Sequence, residues 1–142
     1  MKLSGPELAF LTEHNSAAMV TVAPDGVAKV ARVGVALVDG KLWSSGTADR
    51  VRTRRLRQDP RCTLYVHAEP YAFLVLETTV TILDGADAPE LNLRLFRIMQ
   101  NRPTGPLSWF GGEFDETAFL ARMADEQRLV YEFDPQRTYG LH

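Results

Sequence analysis

The chain is 142 residues long, 45% hydrophobic and 24% charged, with a net charge of −2 at pH 7. That length predicts one domain, residues 1–142, large enough to bury about two-thirds of its unfolded surface. Its single cysteine, Cys62, excludes an internal disulfide framework and a cysteine-rich zinc site and suits a cytoplasmic protein, and no apolar run reaches the ~20 residues of a membrane span.

In chain order, the start MKLSGPEL lacks a signal-peptide pattern. Instead Ser4 and Glu7 have capping-box spacing with Pro6 between them, which predicts a short helix. AAMVTVA, residues 17–23, reads as a strand, and Pro24-Asp25-Gly26 and Asp39-Gly40 are turn signals. The valine-rich VAKVARVGVALV between those turns reads as one long strand, with Lys29 and Arg32 on opposite faces. KLWSSG is its return partner. This pairing brings Arg32 beside the KLWSSG strand, towards the same ligand as that strand's hydroxyls; the alternative is that Lys29 and Arg32 both snorkel outward.

Residues 47–61, TADRVRTRRLRQDPR, follow. Thr47 is placed as a helix cap, Asp49 at the positive end of the dipole, and Asp59-Pro60 as the stop. At 100° per residue Arg50, Arg54 and Arg57 share a face. After Pro60, RCTLYVHA alternates as a half-buried strand, and Glu69-Pro70 turns the chain into YAFLVLETTVTIL. Asp87 to Glu90 has capping-box spacing and predicts a helix to about residue 100. NRPTGPLSWFGGEF reads as a loop, Asp115 caps a last helix to about residue 125, and RLVYEF is the final strand. Six strands, with one helix after the third and two between the fifth and sixth, predict a mainly β (α+β) fold: a closed antiparallel barrel with peripheral helices.

The chemistry concentrates in the arginine segment. Residues 50–61 hold six arginines against one aspartate, net +5, so the remainder of the chain carries −7. A nucleic-acid binder spreads its positive charge over an extended face; one basic spot in an acidic chain suits a small anion held locally. The segment begins directly after WSSGT, and small hydroxyl residues feeding a helix N-terminus supply donors and dipole for a phosphate, with arginine forks beside them. The competing account is a solvated basic face. His14, His67 and His142 show no metal spacing, and no nucleophile elbow, Walker loop or dinucleotide fingerprint is present. Glu77 stands as a lone acid partnering an arginine. Trp109-Phe110 before two glycines is either a lid over a flat ligand or a loop anchored by its aromatics.

The stretch LWSSGTADRVRTRRLRQDPRCTLYV, with the DGVAKVARV hairpin and the terminal TYGL, resembles the pyridoxamine 5′-phosphate oxidase-like split barrels. Within that flavin and deazaflavin superfamily it is most similar to the actinobacterial oxidoreductases that use coenzyme F420. The resemblance implies a six-stranded antiparallel split β-barrel with peripheral helices, and a homodimer with cofactor sites at the subunit interface. It implies hydride transfer from the reduced deazaflavin to an activated double bond of a small organic substrate, without nucleic acid or membrane as partner. FMN in the same groove is the alternative cofactor, and a non-catalytic cofactor-binding protein the alternative role. By position, phosphate-binding residues fall on Arg50, Arg52 and Thr53, preceded by Ser44, Ser45 and Gly46. Strand contacts fall on Lys29, Arg32 and Val33, and Trp109 joins them if its loop is a lid; no catalytic side chain and no metal are implied. Two departures stand out: Glu77-Thr78 replaces a frequent Glu-Gly, and the C-terminal arginine and histidine that bind substrate in pyridoxamine phosphate oxidases are absent.

Overall fold

A computed structural model describes residues 1–142. The first helix, α1 (Gly5–Glu13), opens with the capping box expected of its sequence: the Ser4 N–H donates to Glu7 Oε1 at 2.8 Å and the Glu7 N–H to Ser4 Oγ at 3.2 Å. There follow β1 (Ser16–Val22), β2 (Ala28–Gly34), β3 (Ala36–Val38), β4 (Lys41–Thr47), α2 (Val51–Gln58), β5 (Arg61–Ala68) and β6 (Ala72–Leu83). The second half adds α3 (Ala88–Met99), β7 (Leu107–Trp109), β8 (Gly112–Phe114), α4 (Glu116–Asp125) and β9 (Arg128–Leu141). No helix is long and apolar enough to cross a membrane.

Seven strands form one antiparallel sheet in the order β2-β1-β5-β6-β9-β4-β3. Its two edges, β2 and β3, are joined by the single residue Val35, so the sheet must curl until its edges meet. The architecture is mainly β with four helices, consistent with a split barrel. The count of seven corrects the expected six. The run VAKVARVGVALV breaks at Val35, whose side chain is fully buried and whose N–H bonds Asn15 O at 2.9 Å. Only the part after the break, Ala36–Val38, pairs with β4, so Arg32 does not neighbour the KLWSSG strand as expected. β9 also outruns its expected RLVYEF. Pro135 does not end it, because it faces Thr78 where the register with β6 shifts, and a bulge tolerates a residue without an N–H.

Inside the curl lies the main apolar cluster, with Leu11, Met19, Val35, Leu64, Leu74, Leu76, Leu129 and Tyr131 almost inaccessible. On the outside, α3 seats Leu95 against Ala36, Val38, Trp43 and Val130. α3 starts at Asp87 without the side-chain cap that its sequence suggested, whereas Asp115 does cap α4, accepting from the Ala118 N–H at 2.8 Å. The predicted loop contains the β7–β8 ribbon, turned at Phe110 and Gly111, both with positive φ (44° and 80°). The outer face of β2, β1, β5, β6 and the end of β9 has no helix over it and leaves Val30 67%, Tyr65 39%, Tyr139 49% and Leu141 64% exposed.

Truncation should separate these environments. Leu64→Ala, at a position with no exposure, should cost about 2–5 kcal/mol in urea unfolding. Val27→Ala, in the exposed β1–β2 turn, should stay within about 0.5 kcal/mol of the parent.

Candidate functional site

The arginines of residues 50–61 are sorted by their partners. Arg57 pairs with Asp84 at 2.9 Å and Arg61 with Asp59 at 2.8 Å, while Arg54 Nη1 donates to the Asp49 carbonyl at 2.8 Å. Arg50, Arg52 and Arg55 have no carboxylate partner; Arg55 Nη1 reaches only the Thr21 hydroxyl, at 3.3 Å. These three line one groove of about 290 Å³ with Lys29, over a floor that includes Met19, Thr21 and Ala31. The floor residues Met19 and Thr21 are the inward positions of β1, so the groove opens at the mouth of the curled sheet, where α2 crosses it. Four cations and no acid share this space.

Arg52 is the most constrained of them. Its Nε is buried and has no hydrogen-bond partner, the condition that makes a buried polar atom costly until a ligand meets it. Burial draws its pKa below the usual arginine value, opposed by the neighbouring Tyr131 hydroxyl and reinforced by Arg50 and Arg128. Even so lowered, a guanidinium is a firm cation.

Beneath Arg52 runs a directed chain of hydroxyls. Thr53 Oγ1 donates to the Thr47 carbonyl at 2.8 Å, which uses its only proton. In the short contact between Thr53 and Tyr131, the tyrosine must therefore be the donor. The Tyr131 oxygen keeps its lone pairs, and the Arg52 guanidinium lies near it. Gly46 makes room for this arrangement: a Cβ there would overlap the Tyr131 phenol.

Several expected contacts are engaged elsewhere. Thr47 ends β4 and does not cap the helix; its hydroxyl donates to Asp49 Oδ1 at 2.7 Å, and α2 begins after Arg50 with no side-chain cap, which leaves first-turn N–H groups available. Thr53 is fully buried and supports the groove from below without facing it. Ser44 donates inward to Gly34 O at 2.7 Å, and Ser45 to Asn92 Oδ1 at 2.6 Å beneath α3. Val33 is core. Arg32 lines a second groove, its Nε donating to Ser16 Oγ at 3.2 Å. Thus Lys29, Arg50 and Arg52 converge, while Arg32, Val33, Ser44, Ser45, Gly46 and Thr53 do not reach their groove as ligands.

Trp109 follows the anchored alternative. Its ring packs edge-on against Phe96 (5.0 Å) and Phe119 (5.8 Å), its Nε1 donates to Glu126 Oε2 at 3.0 Å, and Arg128 stacks over it at 4.9 Å. The exposed aromatic of the pair is Phe110, 85% accessible. The residues that the sequence did not single out are Arg55, Thr21 and Tyr131. Thr21 had a signal, a hydroxyl on the inward phase of an apolar strand; Tyr131 lies 78 residues from Thr53 and had none.

A curled antiparallel sheet with an uncompensated basic groove at its mouth is the outline of a split barrel. The sequence profile of the pyridoxamine 5′-phosphate oxidase family matches residues 7–142, and the chain belongs to that family. Among solved structures, the conserved hypothetical protein Rv2991 of Mycobacterium tuberculosis superposes with a TM-score of 0.76 at 21% identity, covering 98% of this chain and 84% of that one. An F420 reductase superposes with a TM-score of 0.71 at 20% identity, covering 96% and 98%. A FAD-binding protein from Mesorhizobium loti superposes with a TM-score of 0.65 at 15% identity, covering 97% and 94%. At such identities these likenesses show the fold. A comparison with curated proteins finds no match.

Tyr131→Phe removes the one donor to Thr53 and should cost about 1–3 kcal/mol of stability by thermal or urea unfolding. Gly46→Ala should cost about as much through overpacking. Glu126 gives a pH test. Burial raises its pKa, but the bonds from Trp109 and Arg128 outweigh this and bring it below the ordinary 4.5. Because the folded value is the lower one, its contribution is complete above pH 4.5 and is lost as pH falls through the folded value. Glu126→Gln should therefore lower Tm at pH 7, and the difference from the parent should shrink in that acid window.

Proposed function

We propose that the chain is an oxidoreductase that holds a phosphorylated flavin-type cofactor, coenzyme F420 in the first instance, with its anionic end in the groove of Lys29, Arg50, Arg52 and Arg55. The observation that carries this reading is the unpartnered Arg52 Nε among four cations without an acid. Arg57 and Arg61 are matched by acids of the same chain, which removes the extended basic face that nucleic acid would need.

The residues fit the group. Arg50 and Arg52 flank the uncapped start of α2, where first-turn N–H groups and forked guanidinium donors converge on a phosphate. One phosphate monoester brings about −1.5 to −2, short of the four positive charges; a phosphate followed by a carboxylate-bearing tail matches them better, which favours F420 over FMN. The likeness to an F420 reductase supports the same choice. When bound, the reduced deazaflavin supplies a hydride to an activated double bond of a small substrate. The chain's own part is to bind the acidic tail with Lys29, Arg50, Arg52 and Arg55, which Thr53 and Tyr131 support from below, and to hold a positive potential at the barrel mouth. FMN bound in the same groove, or a carrier that binds without turnover, are the other readings.

A homodimer belongs to this proposal, because Val30, Tyr65, Tyr139 and Leu141 form an apolar outer face with no helix over it. Light scattering at micromolar concentration should give twice the 15.9 kDa chain mass.

Fluorescence titrations with F420 and FMN should show the tighter binding for F420. Arg52→Ala should weaken it by about one to two decades, since a charge-assisted hydrogen bond contributes about 1.5–3 kcal/mol and ~1.4 kcal/mol is tenfold. Arg57→Ala, in an exposed ion pair, should change it less than about threefold. Equal losses at both positions would indicate a diffuse field and sink the specific site.

A further inference from the structure

The junction of α4 and β9 holds the segment that leads into the cationic groove. Glu126 closes α4, Gln127 turns the chain with a left-handed φ of 52°, and Arg128 opens β9. The Gln127 carbonyl accepts from the Ala48 N–H at 3.1 Å, and Arg128 lies opposite Thr47 in the β4–β9 ladder. Thr47 and Ala48 are the last residues before the approach to Arg50 and the start of α2. A left-handed φ on a residue with a side chain persists only where its surroundings enforce it. Here the enforcing contacts are those that fix the entry to the groove.

Arg128 is not part of the groove lining, yet it lies close enough to Arg52 to disfavour that residue's charge. Its side chain is only 8% exposed, with Nε donating to Glu126 Oε1 at 2.9 Å and the guanidinium stacked over Trp109 at 4.9 Å. The other oxygen of Glu126 accepts from Trp109 Nε1 at 3.0 Å. Both oxygens of one carboxylate are thus committed, and the pair is held by a ring, a helix end and a strand. Exposed ion pairs are screened by salt and loosened by side-chain freedom; this one is sheltered from both. The carboxylate is a fixed negative charge that subtracts from what Arg128 adds to the potential of the groove.

We propose that Arg128 is a fifth cation of the groove, acting through space from outside its lining, and that Glu126 sets how much of that charge an incoming anion meets. Neither residue touches the ligand; both are positioning residues for its charge. The inference rests on the reading of the groove as an anion site, and not on which cofactor fills it. A unit charge about 10 Å from another changes a binding constant about twofold at a water-like dielectric, so an anion of charge −2 or more should respond about threefold or more.

Calorimetric titration of the full chain with inorganic pyrophosphate, at pH 7 and low salt, tests this. Glu126→Gln should bind pyrophosphate about threefold or more tightly, although the same change lowers Tm. Arg128→Gln should bind it about threefold or more weakly, and Arg128→Lys should recover most of the loss because it keeps the charge. The differences between variants and parent should shrink as salt rises towards about 0.5 M, where the Debye length falls below about 5 Å. A merely structural role would make affinity fall with stability in Glu126→Gln, leave Arg128→Lys no better than Arg128→Gln, and ignore salt. Unchanged or weaker binding in a Glu126→Gln protein with the parent's circular dichroism overturns the proposal and leaves the groove standing. Should Glu126→Gln not fold, the two Arg128 variants decide, equal losses overturning the proposal. A parent that binds no pyrophosphate overturns the groove itself, and this inference with it.

Discussion

β2 and β3 are consecutive in the chain, separated by Val35 alone, yet they are the two opposite edges of the sheet. A flat seven-stranded sheet would place its edges about 28 Å apart at the usual strand spacing of ~4.7 Å, far beyond the reach of one residue. The sheet therefore has to curl, and the curl creates an inside. Once it exists, the inward phase of each strand becomes core, and Val35, Leu64, Leu74, Leu76 and Tyr131 are almost wholly removed from water. β2 is left with one paired side only, from Ala28 to Gly34. Both grooves lie along that strand.

The mouth of the curl is where the electrostatics become unusual. α2 crosses it with a surplus of arginine, and the fold neutralises the far end of that helix with Asp84 and Asp59 while leaving Arg50, Arg52 and Arg55 unmatched. The support under Arg52 is built from neutral hydroxyls. A carboxylate in the place of Tyr131 would hold the guanidinium more tightly, but it would also compete with any incoming anion. A neutral phenol that donates to Thr53 and lies beside Arg52 leaves the cation's charge available. Gly46 is part of the same device, since only a residue without Cβ lets the phenol lie there.

The hydroxyls of β4 show how a motif can point to the right place and still mislead about contacts. Ser44, Ser45 and Thr53 carry the pattern of a phosphate loop, yet all three are spent inside the protein, on Gly34, Asn92 and Thr47. Their work is to tie β4 to β2, α3 and α2. Trp109 is a parallel case on the opposite side of β9. Flanked by Phe110 and glycines it looks like a lid, but two rings, one carboxylate and one guanidinium fix it in place.

Local signals determined a good part of this protein. The α1 capping box, the Asp115 cap, both early hairpin turns and the opposite facing of Lys29 and Arg32 follow from short-range rules, because capping and alternation involve residues within a few positions of one another. The concentration of charge in residues 50–61 was legible for the same reason, and with it the general location of the basic groove. What required the tertiary structure is anything that joins distant segments. The break at Val35 depends on Asn15 and on the curl of the sheet, and the length of β9 depends on a bulge at Gln136 where it pairs with β6. Which arginines remain unpaired depends on Asp84, and the orientation of Arg52 depends on Tyr131. None of these partners lies within reach of a local pattern, since each is brought in by the curl of the sheet and not by spacing along the chain.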